Sequence, residues 1–290
     1  MLVTMKEMLE KAKREGYAVI APSIEGEACM AAAVEAAEAH RSPIIINVRI
    51  NAFDDKLPFY IKVARRWAEV ADVPVAVNLD HGKTFDENCR ALYYGYTSIM
   101  VDRSALPYEE NVAQVKQMVD IAHAMGVSVE GELGELGWAE GSTKFSVNQK
   151  SAEKEMDQTL TDPDMAKDFV ERTGLDFLAV SLGNKQGGFY KDPNFVPHID
   201  FDRLVEIRDK TNIPLVLHGG SGVGVENLAK ACRMGICKVN VGSELRANAA
   251  QKIIDDPVKA KRWAFQMCKE GYREALDKYF EIFGCEGKAD

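Results

Sequence analysis

No stretch of the sequence approaches the roughly 18 uninterrupted apolar residues that a membrane-crossing helix needs, so a transmembrane helix is excluded. The opening MLVTMKEMLEKAKREGY interleaves charges with apolar side chains and has no continuous apolar core, so it does not read as a secretory signal. No Cys-x-x-Cys pair occurs. The scattered Cys29, Cys89, Cys232, Cys237, Cys268 and Cys285 read as reduced thiols acting as small hydrophobes, which points to the cytoplasm. There is no Lys/Arg-rich run, and 36 basic residues face 45 acidic ones for a net charge of −9. That balance argues against nucleic acid or an anionic membrane as the main partner, although a locally basic site can still take a small anion. Proline is scarce at 10 residues, and no linker or low-complexity tract divides the chain, so residues 1–290 read as one domain. With 46% hydrophobic and 28% charged residues the composition is that of a soluble globular protein. A chain of this length buries roughly three quarters of its unfolded surface.

Short β-rich apolar runs alternate with longer segments of helical period. The runs are Ala18 to Ser23, Pro43 to Val48, Pro74 to Asp80, Ser98 to Asp102, Val127 to Glu132, Asp176 to Ser181, Ile213 to His218 and Cys237 to Val241. Between them lie segments such as EACMAAAVEAAEAH, FYIKVARRWAEVAD and YEENVAQVKQMVDIAHAMG, with apolar residues at i, i+3 and i+4 and charges between. Continuous rather than alternating apolar strands imply a parallel sheet covered by helices. Eight βα units select a closed (β/α)8 TIM barrel. The longest gap, Glu132 to Asp176, begins with a polar, glycine-containing stretch that reads as a mobile loop over the barrel mouth. From about Leu245 two amphipathic stretches form a C-terminal helical extension, and Arg262 to Phe283 can pack on a neighbouring chain or on its own barrel.

In such a barrel the active site lies at the C-terminal strand ends. Those ends carry Asp80, His81, Asp102, Ser104, Glu130, Glu132, Asn184, Lys185, Gln186, His218 and Asn240. His81 and His218 end the third and seventh strands, and with Glu132 from the fifth they could form a His2Glu metal set of the catalytic zinc kind. Equally, both imidazoles could be structural hydrogen-bonding groups in the loops. LHGGSG, with Gly219, Gly220 and Ser221, and NVGSELR, with Asn240, Gly242 and Ser243, follow strands seven and eight. Those are the usual phosphate-binding loops of this fold, where backbone N–H groups approach an anion at a helix start. Tight turns required by geometry alone would look the same.

The pieces NLDHG, TSIMVDRS, VSVEGELGELG, FLAVSLGN, IDFDRL, PLVLHGGSG and KVNVGSELR, in this order over about residues 1 to 250, resemble the class II (metal-dependent) fructose-bisphosphate and tagatose-bisphosphate aldolase family. The resemblance implies the same barrel, a zinc or other divalent ion, a small phosphorylated sugar as partner, and a homodimer or homotetramer. It implies cleavage of a phosphorylated ketose to a triose phosphate and an aldehyde. Position by position, His81 and His218 match two of three zinc-binding histidines. Asp80 matches the acid that protonates the aldehyde oxygen, and Glu132 a glutamate near the metal. Glu140 matches the loop carboxylate that moves the triose phosphate proton. Gly219 to Ser221 and Asn240 to Ser243 match the phosphate and triose loops.

Departures accompany the matches. Gly-x-x-His-Gly, which carries the third zinc histidine, becomes Gly183-Asn184-Lys185-Gln186-Gly187, so that Gln186 stands at a metal position beside the phosphate-binding Gly187. An amide oxygen is a poorer zinc ligand than imidazole, and metal affinity should fall unless Glu132 or another carboxylate fills the gap. The family's Asp-Gly-Ser-His becomes Asp102-Arg103-Ser104-Ala105, its first-strand Asn becomes Ser23 and its second-strand Ser becomes Arg49. Arg49, Arg103 and Lys185 thus add cations at strand ends, which imply an anionic group on the substrate or compensating carboxylates within the site, or else are solvated cations on the rim. Lys185 could also act as a Schiff-base amine. A divergent metal-dependent aldolase, a non-catalytic sugar-phosphate-binding paralogue or partner subunit, and a metal-independent or Schiff-base lyase are the alternatives.

Overall fold

Strands buried on both faces and helices with one apolar face close into a barrel. The computed structural model describes residues 1–52, 54–134, 137–138, 160–186 and 197–290, with only the backbone of residues 54, 137, 138, 185 and 186. The barrel strands are β1 (Val19–Pro22), β2 (Ile44–Val48), β3 (Val75–Gly82), β4 (Ser98–Val101), β5 (Ser128–Leu133), β6 (Phe177–Val180), β7 (Leu215–Leu217) and β8 (Ile236–Val241). Each pairs in parallel with its neighbours in sequence, and β8 pairs with β1 to complete the ring. The eight-stranded TIM barrel expected from the apolar runs is therefore present. A short strand, Leu2–Val3, adds to β3 at the N-terminal end.

The helices start and stop where local chemistry directs. In α4 (Phe85–Tyr94), Thr84 accepts from Glu87 N while the Glu87 carboxylate accepts from Thr84 N, and left-handed Gly95 ends the helix. Asp162 caps α6 (Pro163–Thr173), and Asp200 caps α7 (Phe201–Thr211). α1 (Met5–Glu15) closes the barrel floor, where Met5 N donates to Ser98 Oγ. α2 (Glu27–Ala39), α3 (Leu57–Val70), α5 (Tyr108–Ala124) and α8 (Val225–Met234) complete the outer ring.

The C-terminal extension begins at Ser243 with α9 (Ser243–Asp255) and continues as α10 (Pro257–Ile282), which is kinked at Trp263. Beyond the kink α10 packs on its own barrel. Met267, Tyr272, Leu276 and Phe280 are buried, and Tyr272 Oη donates to Ser23 O at 2.7 Å. Around the kink Val258, Trp263 and Phe265 stay exposed. Among the described residues no helix is long and apolar enough to cross a membrane.

Two kinds of core result. Between strands and helices the packing is apolar, whereas the barrel interior is largely polar. Alternation along the strands turns Asn47, Asn78, Glu130 and Lys238 inward, where Asn78 Nδ2 donates to Asn47 Oδ1 at 2.7 Å. Beneath them the Ser98 and Ser128 hydroxyls meet at 2.6 Å.

Candidate active site

Successive strand residues point to opposite faces, yet Asp80 and His81 both reach the barrel mouth. The register explains this. Leu79 pairs with Ile99 but Gly82 with Val101, so β3 carries one residue more than β4 across that step, a bulge. His81 takes the left-handed φ of 52°, a region that histidine tolerates better than most side chains. The glycine that follows is demanded by space, because a Cβ on Gly82 would lie 2.3 Å from Asn88 Nδ2 and 2.9 Å from Met100 O. Asp80, almost fully buried, accepts from Arg49 Nε and from Asn240 Nδ2, each at 3.1 Å.

Each site imidazole rests one ring nitrogen on a carboxylate. His81 Nδ1 lies 2.7 Å from Asp102 Oδ2, and His218 Nε2 lies 2.8 Å from Glu130 Oε1. Asp102 is itself held by Lys83 Nζ and by the Ser104 amide and hydroxyl at 3.2 and 2.8 Å. Glu130 is held by Lys238 Nζ. An ionised carboxylate only accepts hydrogen bonds, so a neutral imidazole beside it spends its single N–H there. The remaining nitrogens, His81 Nε2 and His218 Nδ1, then turn their lone pairs toward each other at 3.1 Å. Two such lone pairs repel unless a proton or a metal cation lies between them.

The surrounding carboxylates favour positive charge at this point, proton or metal. Burial would raise the Asp80 carboxyl, but His81, Arg49, His218 and Lys238 outweigh it and hold it well below the usual range. Burial likewise opposes ionisation of Asp102 and Glu130, and their imidazole and lysine partners overcome it, so both carboxyls are lowered. Burial would lower His81, but Asp80, Asp102 and Glu132 raise it, whereas burial dominates at His218 and lowers it. Glu132 runs the other way: desolvation, reinforced by Asp102, pushes it up to about 8.

The expected His81, His218 and Glu132 set divides in two. Asp80, His81 and His218 converge on the inner side of His81, and His81, Asp102 and Glu132 on its outer side. Glu132 Oε2 is 3.8 Å from His81 Nδ1, the nitrogen that already contacts Asp102. The cause is the bulge, which turns the ring between the two groups of acids. Among the described residues, Glu132 Oε2 and Asn240 Oδ1 are buried and have no hydrogen-bond partner, as polar atoms awaiting a ligand would.

The extra cations separate similarly. Arg49 is compensated within the site by Asp80, while its side chain remains 51% exposed over the mouth. Arg103 corrects an expectation. Its guanidinium donates to Gly82 O at 2.7 Å, Asp102 O at 3.0 Å, Asn88 Oδ1 at 2.9 Å and Gln114 Oε1 at 2.8 Å. It braces β3 against α4 and α5, because alternation sends it outward where its neighbour Asp102 points in. Burial lowers its pKa.

The backbone of Lys185–Gln186 pairs in parallel with Gly137–Trp138, which joins the loop after β6 to the loop after β5. The side chains of Lys185 and Gln186, and all of Glu140 and Gly187, lie outside the described residues. So does most of the segment read as a loop over the mouth. Asn184 Nδ2 donates to His218 O at 2.8 Å and ties that loop to the end of β7.

The two glycine-containing turns meet. Gly219 is left-handed, and Gly220–Gly222 form a short 3-10 turn. A Cβ on Gly220 would sit 2.6 Å from Val239 Cγ1. Gly242 N donates to Ser221 Oγ at 3.2 Å, and Ser243 opens α9 directly behind.

The family model for fructose-bisphosphate aldolase class-II matches residues 3–288. The chain belongs to the class II fructose-bisphosphate aldolase family. As a class II aldolase it is a carbon–carbon lyase by family and by fold. It is similar over 100% of both chains to the YdjI aldolase of Escherichia coli K12, at 29% identity and a TM-score of 0.84. A candidate fructose-1,6-bisphosphate aldolase from Coccidioides immitis shares 27% identity at a TM-score of 0.86, over 98% of this chain and 96% of that one. Fructose-bisphosphate aldolase from Campylobacter jejuni, at 21% identity and a TM-score of 0.79 over 99% and 96%, shows the shared fold.

The sequence marks Asp102 and Glu130 as polar strand ends without giving them a role beside the imidazoles, and it does not single out Lys238 at all. One signal was available for Lys238: a lysine inside the apolar run CKVNV, two residues before Asn240, has to share its face.

Proposed function

We propose that the chain catalyses reversible aldol cleavage of a phosphorylated ketose to a triose phosphate and an aldehyde at a divalent-metal site. The observation that carries this is the pair of inward imidazole nitrogens 3.1 Å apart, each ring anchored from behind by a carboxylate. The residues fit a borderline cation such as zinc. His81 Nε2 and His218 Nδ1 would hold it, with Asp80 or Gln186 as the source of a further oxygen. Bound there, the ion supplies Lewis acidity to the carbonyl next to the bond that breaks.

The chain's own groups manage the protons. In cleavage, the ionised Asp80 carboxylate receives the proton of the substrate hydroxyl that becomes the aldehyde oxygen, and returns it in condensation. Glu140 exchanges the proton on the triose phosphate carbon. Gly219, Gly220, Ser221, Gly187, Asn240, Gly242 and Ser243 bind and orient the phosphate-bearing half through backbone N–H groups and short polar side chains. Arg49, bonded to Asp80 through Nε, leaves the rest of its fork over the aldehyde end. A carboxylate or phosphate on that half of the substrate matches it.

Elemental analysis of protein purified without chelator, together with the His218→Ala variant, tests the metal. About one zinc per chain, lost in the variant, is the expected result, and no metal in either defeats the reading. Cleavage assays over ketose mono- and bisphosphates then test the substrate. Arg49→Ser should raise KM for substrates with an anionic aldehyde half more than for neutral ones, while its loss as the partner of Asp80 lowers kcat for both.

A further inference from the structure

Lys238 is fully buried inside the barrel, and its ammonium bonds Glu130 Oε2, a carboxylate equally sealed from solvent. The other oxygen, Oε1, faces His218 Nε2 at 2.8 Å. We infer that Lys238 and Glu130 are positioning residues that fix the proton of His218 on Nε2 and so present the Nδ1 lone pair to the metal position. The functional consequence, though not the tautomer itself, rests on the metal-site reading above.

The geometry leaves little freedom. An ammonium has three donors and no acceptor, so it fixes Glu130 Oε2 as an acceptor and sets the rotation of the carboxylate. Oε1 is then aimed at His218 as a second acceptor, and the ring must donate from Nε2. The far side of the ring agrees, because Asn240 Nδ2, which can only donate, lies 3.2 Å from Nδ1. Asn184 holds the backbone carbonyl of the same histidine at 2.8 Å. The ring is thus held at its backbone and at both of its nitrogens. Without the pair, Nε2 would lose its acceptor, and the ring could turn over or carry its proton on Nδ1. Partners behind a metal-binding imidazole typically change affinity by about 10–100-fold.

The test is the double variant Glu130→Gln/Lys238→Met, which removes both charges together and strands neither. Its glutamine can donate as well as accept, so the proton on His218 is no longer dictated. Two-bond 15N–1H spectra of the metal-free full-length protein resolve the tautomer, since the chain has only five histidines. Zinc affinity is read separately by competition with a chromogenic chelator. The expected results are a single Nε2–H form in the wild type, a mixed or Nδ1–H form in the variant, and a zinc affinity about 10–100-fold weaker. An Nδ1–H form in the wild type overturns the inference even if the variant does not fold. So does a variant that keeps the Nε2–H form and full zinc affinity. A wild type with the Nε2–H form that binds no zinc upholds the positioning role and removes only the metal reading.

Discussion

The site contains the same chemical sequence twice, lysine to carboxylate to imidazole, in opposite surroundings. On the rim, Lys83 bonds Asp102, which bonds His81, and the lysine side chain is 61% exposed. Inside the barrel, Lys238 bonds Glu130, which bonds His218, and both charged partners are fully buried. Solvent decides what each lysine is worth. Water can replace Lys83, and salt screens it, so although Asp102 is buried the lysine contributes roughly as much as one in an exposed pair, about 0–1 kcal/mol. Nothing replaces Lys238, and its loss leaves a carboxylate in a low-dielectric interior. One arm is adjustable and the other is committed.

The comparison breaks most sharply at the buried lysine. Lys238→Met should cost roughly 3–5 kcal/mol of folding stability in chemical denaturation, as expected when one partner of a buried pair is removed. Adding Glu130→Gln should recover most of that loss. An equal loss in Lys83→Met would show that exposure does not distinguish the arms. Next in size is Asp102→Asn, which keeps the shape of the rim arm but lets an amide face His81. Zinc affinity should fall about 10–100-fold with little change in stability.

A third variant sharpens the comparison through Glu132, the carboxyl next to the rim arm. Its folded pKa of about 8 lies above the ordinary carboxylate value, so between the two the folded state binds more protons than the unfolded state. Stability of the metal-free protein should therefore fall as pH rises from about 4.5 toward 8 and level off above. Glu132→Gln should flatten that slope in chelator-containing buffer, gaining on the wild type as pH rises. The smallest effect belongs to Lys83→Met, expected within about 1 kcal/mol and vanishing at high salt. Thermal unfolding at two ionic strengths checks it.

The barrel was legible because parallel strands covered on both faces read as unbroken apolar runs such as PIIINV and PVAVNLD. Asp80, His81, His218 and Asn240 were legible as polar endings to those runs. The partition of the acids was not, because a bulge breaks the period of two on which inward and outward assignments depend. Arg103 reads as a mouth cation for a related reason, although its neighbour Asp102 already occupies the inward direction. The Lys238 and Glu130 pair spans 108 residues and exists only once the barrel closes. Local spacing does not encode it.

The extra residue in β3 has a consequence at the level of the gene. Because the chain there presents two successive side chains to one site, Asp80 and His81 are specified by adjacent codons and are passed on together. His218, whose ring meets that of His81, lies 137 residues away. Loss of one codon at this step would restore ordinary pairing and send one of the two side chains out of the mouth. Asp80 and His81 thus form one heritable unit that recombination seldom divides.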